Sequence, residues 1–152
     1  MDDRLAALIE KFRAVGSADP ESWAASEIDE DIAQFARFVF LRELWKLVVP
    51  KGSREWLRHL QFPNDDGRGG VRRRLKESSA SMDDLTELVR AAQSEVVRNV
   101  DYLLDGCASE GGHIDDVGWG LYALDDTGTP VRKMDGLHES VDDEDVRMFP
   151  NE

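Results

Sequence analysis

Three histidines and one cysteine are the side chains best placed to do chemistry near neutral pH, and their neighbours decide what each can do. His113 opens the run His113-Ile114-Asp115-Asp116, and His138 is followed by Glu139. If a hairpin between them brings its ends together, His113, Asp115, His138 and Glu139 form a mixed imidazole and carboxylate set of the kind that holds a divalent metal. The spacing lacks the pairs three or four residues apart that place two ligands on one helix face, so neither a metal nor another cofactor is expected. His59 has no such neighbours. Cys107 stands beside Asp105 and Glu110 near an expected helix C-terminus. Both features disfavour the thiolate, which points to a structural thiol. Asp125-Asp126-Thr127-Gly128 is too short for a calcium loop and reads as a turn.

Charge is the stronger signal. The 152 residues carry 19 basic and 32 acidic groups, a net charge of −13. Residues 101–152 hold 3 basic and 14 acidic groups, whereas residues 51–77 hold 8 basic and 4 acidic. The acidic third offers Asp115, Asp116, Asp125, Asp126, Asp142, Asp143 and Asp145 as candidate partner-binding carboxylates, since a dense anionic surface steers a basic surface toward it. The basic island Arg68-Gly69-Gly70-Val71-Arg72-Arg73-Arg74-Leu75-Lys76 makes Arg72, Arg73 and Arg74 candidate anion-binding residues. It lacks the glycine spacing of a nucleotide-binding loop. The overall charge opposes direct contact with nucleic acid or an anionic membrane.

The elements that position these groups follow from apolar spacing and punctuation. Leu5, Leu8, Ile9, Phe12 and Val15 share one helix face, and Gly16 follows them. Asp19-Pro20 reads as a cap and first helical residue, opening a short helix through Trp23. A longer helix is expected from about Glu27 to Val49, apolar nearly all round between Phe38 and Val49 and therefore buried at the centre. On that reading Phe40→Ala and Leu44→Ala each remove a buried side chain. Phe38 and Trp45, on the side shared with Asp31, Gln34 and Arg42, are either enclosed or an exposed apolar patch. Short helices follow near Trp56 and from Val71 to Glu77. Ser81 opens a long helix whose apolar face is Leu85, Leu88, Val89, Ala92, Val96, Val100 and Leu103. Strand-like alternation at Trp119, Leu121 and Ala123, then the Asp125–Gly128 turn, gives a hairpin at about 117–134.

The expected fold is mainly α (α+β): a helical bundle-like domain over 1–141 with one C-terminal β-hairpin packed on it. Residues 142–152 have few apolar side chains and read as a loosely ordered acidic tail. No run is apolar enough to span a membrane, and Met1-Asp2-Asp3 lacks the basic start of a signal peptide, so a cytoplasmic protein is expected. The leading functional expectation is a non-catalytic acidic binding protein that neutralises or regulates a basic protein partner. Nuclease inhibitors, immunity proteins and DNA mimics offer an analogy of charge and size. The alternative is a small metal- or anion-dependent enzyme using His113, His138 and the Arg72–Arg74 island.

Overall fold

A computed structural model describes residues 3–59, 70–106 and 119–147. It is a mostly helical domain with a small antiparallel hairpin packed against it. The helices are α1 (Asp3–Ala14), α2 (Pro20–Glu30), α3 (Gln34–Trp45), α4 (Trp56–His59), α5 (Val71–Glu77), α6 (Met82–Leu104) and α7 (Leu137–Ser140). The strands are β1 (Leu121–Leu124) and β2 (Pro130–Met134).

Local signals set most boundaries. Asp19 caps α2 by accepting from the Ser22 N–H, and Pro20 occupies the first turn. Ser81 caps α6 by accepting from the Asp83 N–H. The hairpin pairs Leu121 with Met134 and Ala123 with Arg132. Its turn is fixed by Asp125, which accepts from the backbone N–H groups of Thr127 and Thr129, with Gly128 supplying a φ of 83°.

The continuous helix expected over 27–49 is two helices. Asp31 takes a left-handed conformation (φ 53°) that ends α2. The Glu27 carboxylate then accepts from the Phe35 N–H at 2.8 Å and caps the start of α3. In sequence the apolar spacing runs on unchanged across the break, through Ile28, Ile32 and Phe35, although Ile32 lies between the two helices.

The core centres on an aromatic group. Phe38 stands edge-on to Phe12 at 5.4 Å and to Trp23 at 5.2 Å, and Phe12 meets Phe35 at 5.2 Å. The face of α3 that is buried carries Gln34, Arg37, Phe38, Leu41 and Trp45. Phe38 and Trp45 are therefore enclosed and form no exposed patch. The all-round burial expected of this segment is found only in part: within α3 only Glu43 is exposed, but Phe40 and Leu44 are half-buried at the edge of the core, and Leu47, beyond the helix end, is exposed. Phe40→Ala and Leu44→Ala should each lower stability by only about 1–2 kcal/mol, below the range for fully buried aromatics and leucines. Urea unfolding measures this, and a loss above about 4 kcal/mol for either would restore the central position.

The loose tail expected from residue 142 is corrected as far as Arg147. Val146 is 1 % and Asp145 9 % exposed, and both join the domain. Two turns hold the segment in place, with Asp143 N–H donating to Ser140 O and Val146 N–H to Asp143 O. Residues 148–152 lie outside the described residues.

Candidate functional site

Two polar clusters tie the C-terminal segment to the helices, and the sequence reading located neither. The first lies where α7 meets α6. Asp105 Oδ2 accepts from the His138 backbone N–H at 2.9 Å and lies 2.6 Å from His138 Nδ1. This contact places the ring proton on Nδ1 and leaves Nε2 as the acceptor in the neutral imidazole. Tyr102 stacks on the ring at 5.1 Å. One turn back on α6, Asp101 is fully buried and neither of its carboxyl oxygens has a hydrogen-bond partner. Burial, reinforced by the neighbouring Asp105 and opposed by His138, pushes its pKa up to about 7.

Arg37 enters the same region from α3. It donates to Asp135 O at 3.2 Å and to Ser140 Oγ. Burial draws its pKa below the ordinary arginine value, against the pull of Glu139, Asp105, Glu30 and Asp143. Gly136, at φ 71°, lets the chain pass this point: a Cβ there would lie 2.8 Å from Glu139 Oε2 and 3.0 Å from Arg37 Nη1.

The second cluster surrounds Asp145. Its Oδ1 accepts from Ala18 N–H at 2.6 Å. Its Oδ2 accepts from the Ser17 hydroxyl, from Asp19 N–H at 3.3 Å and from Trp23 Nε1–H at 3.1 Å. Asp145 thus fastens the C-terminal segment to the α1–α2 turn. It is a buried structural group and is withdrawn from the partner-facing carboxylates.

The other candidates are placed as follows. Asp115 and Asp116 lie outside the described residues, as do His113 and Cys107. Asp125 is exposed and committed to the hairpin turn, where bonds from Thr127 and Thr129 hold its carboxyl below the usual range. Asp126 is exposed beside it. Asp142 is exposed and bridges Arg98 at 3.1 Å and Arg147 at 3.7 Å. Asp143 is exposed, and its Oδ1 accepts from Asp145 N–H at 2.8 Å. In the basic island, Arg73 pairs with Glu77 at 3.5 Å, Arg74 is exposed, and the Arg72 side chain lies outside the described residues. Among the described residues no three His, Cys, Asp or Glu side chains are arranged to hold a metal, and His113 and Asp115 of the mixed set lie outside the described residues.

The exterior of α6 differs most from expectation. The helix turns Thr86, Val97 and Asp101 inward, while Leu88 is 66 %, Val96 61 % and Leu103 46 % exposed. Trp56 Nε1–H donates to Thr86 Oγ1 at 2.9 Å, Gln93 Oε1 accepts from Val49 N–H at 2.8 Å, and Arg90 donates to Val49 O. These polar anchors rotate the helix so that part of its apolar face looks outward. The acids Asp83, Glu87 and Glu95 are well exposed, whereas the Arg90 side chain is mostly buried. Trp119 continues the apolar stripe by donating from Nε1 to Leu103 O.

One unused sequence signal marks the α6–α7 junction. Asp101 and Asp105 are like charges four residues apart at a helix C-terminus, an unfavourable placement by both pair and dipole rules. No helix among the described residues is long and apolar enough to cross a membrane. Comparison with protein-family models, with curated proteins and with solved structures finds no match for this chain.

Proposed function

We propose that this protein acts without catalysis, binding a basic protein partner and thereby neutralising or regulating it. The observation that carries this reading is the outward face of α6, an apolar stripe through Leu88, Val96 and Leu103 accompanied by exposed Asp83, Glu87 and Glu95. Apolar side chains at the centre of a contact supply affinity, and surrounding carboxylates supply encounter rate and choice of a basic partner. Exposed Asp126, Asp142 and Asp143 extend the same charge.

The test uses the partner captured on the wild-type protein and compares rates across variants. Replacing Asp126, Asp142 and Asp143 together by Asn should slow association about threefold or more at low salt and flatten its salt dependence. Leu88→Ser with Val96→Ser should act mainly by speeding dissociation, about tenfold or more. Unchanged rates in both variants sink the reading.

The competing reading is a small metal- or anion-dependent enzyme, and one observation favours it: Asp105 orients His138, whose side chain is 30 % exposed. Near one metal per purified chain, lost in His138→Ala, would put that reading first.

A further inference from the structure

The C-terminal segment docks beside a carboxylate that nothing answers. Val97, Asp101 and Asp105 follow one another at successive turns of α6, and α7 packs against that helix. Asp101 is wholly buried, and neither of its carboxyl oxygens has a hydrogen-bond partner. Val97, Met134, Leu137 and Val141 belong to one buried apolar cluster, so this part of the core offers little to solvate a charge.

The charged groups here come from every neighbouring element. On α6 itself Asp105, one turn on, disfavours an ionised Asp101, while Arg98 is engaged with Asp142 and Glu95. From α7, His138 favours the ionised form but is held by Asp105, and Glu139 adds a further negative charge. From α3, Arg37 donates to Asp135 O and Ser140, and its charge is answered by Glu139, Asp105, Glu30 and Asp143. From β2, Lys133 pairs with Asp135 at 2.6 Å.

The element that can give way is α7. It is four residues long, and a few bonds hold it and the residue after it: His138 to Asp105, Arg37 to Ser140, and Trp45 Nε1–H to Val141 O at 2.7 Å. In contrast, α6 runs 23 residues and is anchored away from this end by the bonds from Trp56 to Thr86 and from Val49 to Gln93.

We propose that Asp101 makes the α6–α7 junction a pH-operated latch: protonated, it lets α7 and the segment behind it close on the helices, and ionised, it drives α7 off α6 so that water reaches the carboxylate. Two carboxylates one turn apart repel strongly in a poorly solvated interior, and hydration relieves them. Burial and Asp105 push the Asp101 pKa up to about 7 in the closed form, whereas an open, hydrated Asp101 ionises near 3.8. The closed form therefore keeps a proton that the open form has released. Opening becomes easier as pH rises from about 4 to about 7 and changes little above that. The latch does not depend on the binding reading.

The test uses the full chain and two of its own tryptophans. Trp45 Nε1–H reports the latch through Val141 O, and Trp56 Nε1–H, on Thr86 near the other end of α6, is the internal reference. Exchange of both indole protons with D₂O is followed by NMR at pH 5, 6 and 7. The ratio of the two rates cancels the direct effect of pH on exchange chemistry. From pH 5 to pH 7 the Trp45 rate should rise relative to the Trp56 rate by about tenfold or more. In Asp101→Asn the ratio should stay constant within about twofold, and Asp101→Ala serves the same comparison should the asparagine chain not fold. A constant ratio in the wild type would overturn the latch, whether because the domain opens only as a whole or because the buried Arg37 Nε–H, which has no hydrogen-bond partner, turns to the ionised carboxylate. A rise of the same size in the Asp101 variants would overturn it equally, and would assign the pH dependence to the pair of His138 with Asp105.

Discussion

Asp145→Ala is expected to cost about 3–5 kcal/mol of folding stability, because it strips a buried carboxylate from four donors at once. Ser17 hydroxyl, Ala18 N–H, Asp19 N–H and Trp23 Nε1–H all point at it, and two of them begin α2. Asp19 N–H also lies 3.2 Å from the Ser17 hydroxyl oxygen, a second acceptor that the loss of the carboxylate would leave in place. Asp145→Asn should be nearly as damaging, although it preserves size. Whichever oxygen its NH₂ replaces, it meets an N–H donor against donor: that of Ala18 at one position, those of Asp19 and Trp23 at the other. Urea unfolding of the three proteins checks both statements. A loss below about 1 kcal/mol for alanine would mean that the C-terminal segment is not fastened through this carboxylate.

Asp101→Asn should act in the opposite sense and depend on pH. The Asp101 carboxyl ionises near 3.8 in an unfolded chain but near 7 in the fold. Between those values the folded protein holds a proton that the unfolded chain has released, so stability falls as pH rises through that window. Above about 7 the full penalty for a buried, unpartnered carboxylate is present, roughly 2–4 kcal/mol after allowing for relaxation around it. Asparagine is neutral throughout. The variant should match the wild type near pH 4 and exceed it by that amount at pH 8, with His138 and Asp105 present in both proteins as a common background. Thermal unfolding across pH 4–8 gives the difference directly. A constant difference would show that Asp101 is ionised in the fold at every pH tested.

What could be read from the sequence was local. Asp19-Pro20, Ser81 and the Asp125–Gly128 turn announce themselves because cap and turn bonds join residues two to four apart. The break at Asp31 was hidden because Glu27, eight residues from Phe35, supplies the cap. The outward rotation of α6 was hidden because distant polar anchors, from Val49 to Gln93 and from Trp56 to Thr86, outweigh the pull of its apolar face. Asp145 looked like one more tail acid, since its donors lie more than 120 residues earlier. A charged residue found buried contradicts the composition rule that placed it outside.

The C-terminal attachment also sets an order in time. Trp45 Nε1–H donates to Val141 O across 96 residues, Arg37 donates to Ser140 across 103, and Trp23 to Asp145 across 122. During synthesis α1, α2 and α3 emerge first, with these three polar groups lacking their eventual acceptors. At about 5–20 residues per second the wait lasts on the order of 5–20 s. Through that interval the early helices have their aromatic cluster but not their last fastenings, and a nascent chain halted before residue 140 carries an open seam where Trp23, Arg37 and Trp45 meet water. Completion of the domain is therefore a late event, triggered when a short acidic stretch arrives to close what the first third of the chain began.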